Sequence, residues 1–453
     1  MKNISIKSLC FSMALLPLML MLASCSGDDY LNAIPYDSTA LVALDMLQLS
    51  ADGKTDVLNG MLGVDDVDGC GIDLSSKLYV FTTAEGSVGL AAKVDDDGAL
   101  DEWLGRMSQK GFCVQTSKRK DFGFTVIKDS WVAGFSSGAL VVLGPVLPSQ
   151  QADAQRRIIK YLEQDEEHSV KATPMFARLD TIGAPVALVA QAAALPEKMV
   201  APFTLGAPKN ADASQVMIAA ELNPVDDGCV VVSGETFSFN KSVDEALKAA
   251  RGVFRPITDK YLANMSDSAS LGVFMNVDGT RFIELLNANK SFQALLAGVN
   301  TAIDMNNIIK SIDGDVALML PDLSKGMSGV QMCAKLKSKA FLADVGYWKQ
   351  SCPVGSRITD WKKDAYCFTN GDISYYFGVT PDLQYYSGMS EAMAKGVLSA
   401  ASSPLSAAVR QLVVGRRLVM LLNVGSLKAG GVDYGNYLKT LFGGADTVIY
   451  IMK

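Results

Sequence analysis

Four tyrosines in two adjacent pairs, Tyr375-Tyr376 and Tyr385-Tyr386, form the densest chemistry-bearing stretch of the chain. They flank Thr380-Pro381-Asp382, a turn sequence, and so read as a hairpin. Side chains alternate faces along a strand, so one tyrosine of each pair must point away from the other. One face then suits the core, and the other suits stacking on a glycan or protein partner. A Ser-His-Asp or Cys-His mechanism would have to use His168, the single histidine. It follows Asp165-Glu166-Glu167 and reads as solvated surface. The acidic clusters Asp65-Asp66-Val67-Asp68-Gly69, Asp95-Asp96-Asp97-Gly98 and Asp226-Asp227-Gly228 lack the ligand spacing of a calcium loop. Aspartate before glycine reads as turn chemistry. No complete G-x-x-x-x-G-K-[ST] loop, dinucleotide glycine pattern or C-x-x-C is present. No cofactor and no metal are therefore expected. The paired carboxylates of a glycoside hydrolase meet only in space, so spacing leaves that chemistry open.

Six cysteines lie beyond Cys25: Cys70, Cys113, Cys229, Cys333, Cys352 and Cys367. Cys352 and Cys367 are close in sequence and flank a turn-rich segment, which makes them the candidate disulfide. The alternative is that all six are free and buried.

The elements that must position these residues recur in order. The strand Leu41–Asp45 after Asp37 is echoed by Leu271–Met275 after Asp267. Lys77–Phe81 faces Asp315–Met319, Gly89–Lys93 faces Gln331–Lys335, and Trp131–Phe135 faces Ile373–Phe377. Thr173-Pro174 and Ser403-Pro404 each look like a hydroxyl cap with proline at the first helical position. The strands Val186–Ala190 and Leu418–Leu422 follow, then Val216–Ala220 and Val448–Met452. This ordered series points to an internal duplication. Leu100, Trp103, Leu104 and Met107 have helical spacing behind an Asp97 cap, as do Phe341, Leu342, Val345 and Trp348. Ser242-Val243-Asp244-Glu245 reads as a capping box that starts a bridging helix over 242–262. The expected fold is α+β: two duplicated units, each a mainly antiparallel sheet with helices packed on one face. The expected divisions are 1–24, 25–33, 34–259 and 260–453.

Residues 1–24 combine Lys2 and Lys7 with an apolar run from Phe11 to Ala23. That run is too short for a comfortable membrane span and has the anatomy of a secretory signal. Leu22-Ala23-Ser24-Cys25 resembles the bacterial lipoprotein signal. The resemblance implies cleavage before Cys25 and acylation of its sulfur and its new amine. Two or more acyl chains give stable anchoring on a membrane surface. The following tether, Ser26-Gly27-Asp28-Asp29, is loosely similar to the surface-export signal of Bacteroidetes-type lipoproteins. Ile34-Pro35, Asp37 and Val42 then resemble the start of uncharacterised Bacteroidetes lipoproteins grouped only as a domain of unknown function. That family brings no catalytic residues.

Removing Lys2 and Lys7 with the leader takes the net charge from −7 to −9. Such a chain lacks the basic surface that nucleic-acid binding needs. The function expected is a non-enzymatic, lipid-anchored envelope protein with a binding or assembly role, its partner a glycan or an envelope protein, on the periplasmic side or the cell surface. The alternatives are a carboxylate-dependent hydrolase and a subunit of a surface fibre, the latter with Val448–Met452 as a donated or exposed edge.

Overall fold

The computed structural model describes residues 27–49, 59, 64, 66–195, 200, 202–225, 228–289, 292–293, 302–371, 373–424, 428–429, 432–433 and 445–453. The signal segment and Cys25 lie outside the described residues. Two compact units form: Met1–Leu47 with Val67–Thr181, and Gln48–Asp66 with Ile182–Lys453. The 259/260 division drawn from the repeats falls inside the second unit.

The first unit holds β1 (Ala40–Leu44), β2 (Leu78–Thr82), β3 (Val88–Lys93), β4 (Ser117–Arg119), β5 (Phe122–Ile127), β6 (Trp131–Phe135) and β7 (Ala139–Gly144). They pair antiparallel in the order β1-β2-β3-β7-β6-β5-β4. Helix α1 (Asp97–Gln109) buries the expected stripe of Leu100, Trp103, Leu104 and Met107. Its cap is Asp96 rather than Asp97, with Ala99 N donating to Asp96 Oδ1 at 2.9 Å. Helix α2 (Gln151–Leu162) packs on β6 and β7. Gly134 permits this approach, because a Cβ there would lie 2.6 Å from Ile158 Cγ2 and 2.6 Å from Phe124 Cε1. Helix α3 (Pro174–Asp180) has the expected Thr173 cap, which accepts from Phe176 N at 3.1 Å.

The second unit holds β8 (Val186–Gln191), β9 (Met217–Val225), β10 (Cys229–Phe237), β11 (Phe254–Arg255), β12 (Leu271–Asp278), β13 (Ile312–Leu320) and β14 (Gln331–Leu336). It continues with β15 (Ser356–Lys362), β16 (Ala365–Asn370), β17 (Ile373–Val379), β18 (Gln384–Gly388) and β19 (Leu418–Asn423). The short pair β20 (Lys428–Ala429) and β21 (Val432–Asp433) precedes β22 (Thr447–Met452). The ladder runs β8-β9-β10-β22-β19-β12-β13-β14-β18-β17-β16-β15. Every pairing in it is antiparallel except β10 with β22. β22 is therefore paired on both sides and is not a free edge, unlike the strand a fibre subunit would donate. The outer strand β15 exposes Arg357, Asp360 and Lys362, charges that discourage edge-to-edge pairing.

Helices of this unit include α4 (Lys241–Arg251), α5 (Gly279–Ala288), α6 (Met305–Lys310), α7 (Val345–Gln350), α8 (Glu391–Gly396) and α9 (Ala407–Val413). Two expected starts move. Asn240, not Ser242, caps α4, accepting from Ser242 N and Val243 N. That helix ends at Arg251, so no bridging helix reaches 262. Ser403-Pro404 does not open a helix. Ser403 Oγ donates to Asp267 Oδ2 at 2.7 Å, Pro404 bridges to Ser266, and Ser406 caps α9 instead.

The expectation of helices on one face is corrected in this unit. Val316, Ala334 and Met275 pack with Ile283 of α5, Ile308 of α6 and Trp348 of α7. Ala317, Cys333 and Phe274 point the other way and pack with Val409 and Val413 of α9. Strands apolar on both faces must be covered on both. The α+β class and the mainly antiparallel sheet stand as expected.

Candidate functional site

β17 and β18 form the expected hairpin, in which Tyr376 faces Gly388 and Gly378 faces Tyr386. Thr380 N donates to Gln384 O and Leu383 N to Thr380 O, closing the turn. The alternation is clean. Tyr375, Phe377 and Tyr385 enter the core with Trp348 and Phe341. Tyr385 is fully buried, and its Oη lies 2.7 Å from Tyr375 Oη. Burial pushes both phenols above their usual range. A hydroxyl pair inside an apolar core satisfies two groups that would each cost free energy alone.

Tyr376 and Tyr386 lie on the opposite face and are half-buried. Between them sits the half-buried Trp361 from β15, with ring centroids 5.1 Å from Tyr376 and 6.3 Å from Tyr386, both edge-on. Lys362 Nζ and Lys395 Nζ stand 5.2 Å and 5.8 Å from the Trp361 ring centre, within cation–π range. Glu391 pairs with Lys395, whose hydrogen bond holds the carboxyl below its usual range. Tyr386 reaches this position by lying over Gly378, where a Cβ would meet Tyr386 Oη at 2.6 Å. The face therefore offers aromatic surface flanked by an acid and two ammonium groups. Trp361, Glu391 and Lys395 were not singled out from the sequence. They come from a neighbouring strand and a following helix, and no local spacing ties them to the tyrosines.

Cys352 and Cys367 do not form the candidate disulfide; both are free thiols. Cys352 packs with Tyr366 and Phe368 against the core containing Tyr385. Cys367 lies between those two residues on β16, so it faces the other side of the sheet, opposite Tyr376. A pairing chosen from sequence proximity fails on strand parity.

His168 is exposed, with Nδ1 2.6 Å from Asp165 Oδ1. Asp165 also caps the short turn Glu166–His168, so the pair closes a surface turn. Among the acidic clusters, Asp96 is a helix cap, while Gly69 and Gly228 take positive φ as turn residues. Asp65, Asp226 and Asp227 lie outside the described residues. Among the described residues no three His, Cys, Asp or Glu side chains converge as metal ligands. No helix among them is long and apolar enough to cross a membrane.

The profile of a family described only as a domain of unknown function (DUF4836) matches residues 63–398. This agrees with the expected membership of a family of unknown function. The match does not include Leu22–Cys25 or the Ile34-Pro35 start. No curated protein matches. Similar solved structures include two titled as crystal forms IV and III of TP0453. Form IV has 9% identity and a TM-score of 0.30, covering 44% of this chain and 76% of that one. Form III has 8% identity and a TM-score of 0.28, covering 42% and 73%. Likeness at that level carries no argument about fold or function.

Proposed function

From the premise that this chain belongs to the DUF4836 family, whose function is unknown, we propose that it is a non-enzymatic envelope lipoprotein that binds a glycan. Acyl chains on Cys25 would hold it at a membrane surface, as in Bacteroidetes lipoproteins. The observation that carries the binding reading is the half-exposed cluster of Trp361, Tyr376 and Tyr386. Aromatic rings with adjacent hydrogen-bonding groups suit sugars, which present apolar C–H faces and polar edges. The test is titration of the full chain in detergent with envelope and host polysaccharides. Tyr376→Ala and Trp361→Ala should each lower affinity at least about tenfold, while Tyr385→Phe should not. Unchanged affinity in both face variants would sink the reading. Protease treatment of intact cells, beside a lysed control and a Cys25→Ala variant, tests the anchor: Cys25→Ala should release the protein from membranes.

The same reading includes an internal duplication, supported by the ladders. The order β1-β2-β3-β7-β6-β5-β4 has its counterpart in β12-β13-β14-β18-β17-β16-β15. Tyr79 faces Ala91 and Ala91 faces Val141; Ala317 faces Cys333 and Cys333 faces Tyr386. Val132 faces Leu143 as Tyr376 faces Gly388. In this register Trp131 corresponds to Tyr375, two positions on from the Ile373 suggested by sequence. The entry segments agree too. Val170 N donates to Ile34 O beside the Pro35–Ser169 bridge, and Leu405 N donates to Met265 O beside the Ser266–Pro404 bridge. A profile of the first repeat drawn from relatives should align to the second in these registers; alignment in a different register would overturn the duplication.

A further inference from the structure

A cavity of about 330 Å³ opens in the second unit, between α9, the segment before β12, and the ends of β10, β19 and β22. Its buried floor is Met265, Leu405, Val409 and Leu421. Its mouth carries Asp267, Asn423 and Thr447, which are exposed or half-buried. Among the described residues, Asp267 is the only formally charged one in the lining. Its Oδ2 accepts from Ser403 Oγ at 2.7 Å and its Oδ1 from Ser266 Oγ at 3.3 Å. These hydrogen bonds, Ser403's first, hold the carboxyl below its usual range, so it is ionised at neutral pH. Among the described residues no lysine or arginine pairs with it. The cavity thus combines an apolar floor with a negative charge at the mouth. It lies at the small end of ligand pockets. A carboxylate without a cation partner favours a cationic head, and the floor favours a hydrocarbon body that leaves water.

We propose that this cavity binds a small primary ammonium compound with a compact apolar body, the ammonium on Asp267 and the body on Met265, Leu405, Val409 and Leu421. The site is separate from the aromatic hairpin and does not rest on the glycan reading. The probes are 2-phenylethylamine, its uncharged isostere 2-phenylethanol, and methylammonium, each titrated into the full chain in detergent. The amine should bind saturably and at least about tenfold more tightly than the alcohol or methylammonium, since a charge-assisted hydrogen bond is worth more than about 1.4 kcal/mol. Asp267→Asn, at an exposed position, should bring the amine down to the level of the alcohol. Val409→Phe, which fills the floor, should weaken amine and alcohol together, with folding checked by circular dichroism. Equal binding of amine and alcohol, or amine binding unchanged in Asp267→Asn, would overturn the proposal. So would the absence of saturable amine binding up to about 10 mM, weaker than any useful site.

Discussion

The hairpins β6–β7 and β17–β18 share a register and differ in their cover. Val132 and Val141 are fully buried on the face that α2 covers in the first unit. Tyr376 and Tyr386 occupy the corresponding positions in the second unit and stay half-buried. The helix that follows each hairpin makes the difference. α2 has 12 residues and α8 has 6. At 1.5 Å per residue these span about 18 Å and about 9 Å. A strand of 7 residues such as β17 spans about 23 Å, so the short helix cannot cover it. Trp361 takes part of the uncovered area. The comparison teaches that the length of the covering helix, more than the strand sequence, decides whether a sheet face becomes core or surface.

The comparison breaks most visibly at the core side. Tyr385→Ala should cost about 3–5 kcal/mol in urea unfolding, the range for emptying a buried aromatic site. Leu140→Ala, at the matching position, should cost about 2–5 kcal/mol. If Tyr386→Ala proved as costly as Tyr385→Ala, the assignment of faces would be wrong.

Next in size are the two glycines that admit close neighbours. Gly134→Ala meets Ile158 of α2, and Gly378→Ala meets the Tyr386 ring and Ala365 Cβ at 2.7 Å. Each should destabilise by about 1–3 kcal/mol. Only Gly378→Ala should also alter Trp361 fluorescence; no change there would separate the ring from the indole.

Alkaline pH should weaken both units. Burial pushes Tyr79 in the first unit and Tyr450 in the second up to about 12. Their folded values lie above the unfolded value of about 10. The full stability is therefore present below about pH 10 and is lost as pH rises toward 12. Urea midpoints should fall over that window, and Tyr79→Phe and Tyr450→Phe should each reduce the fall. A flat profile through pH 11 would contradict it.

The smallest stability effect belongs to the open face. Tyr376→Ala removes an edge-on ring contact and should cost about 1 kcal/mol, far less than Tyr385→Ala. Its stability and binding effects should therefore diverge.

The hairpin, its alternation and its turn were legible because a period of two and Thr380-Pro381-Asp382 are local signals. The stripe on α1 and the Thr173 cap were legible for the same reason. The caps at Asn240 and Ser406 were not. Several hydroxyl and amide residues precede each helix, and Ser403 is drawn off by Asp267, a residue distant in the chain. Nor was the membership of Trp361 in the tyrosine cluster, since it depends on which strand lies beside β16.

By itself the sequence determined the acidic charge, the α+β class and the order of strand-forming runs, all set by composition and periodicity. The tertiary structure alone decided which residues meet. It separated Cys352 from Cys367 by one step of strand parity. It brought Asp267 to the mouth of a cavity floored by residues from α9 and β19. It left one aromatic face uncovered because a helix is two turns long instead of three. These outcomes depend on ladder register and helix length, which long-range packing selects and no local window of residues encodes.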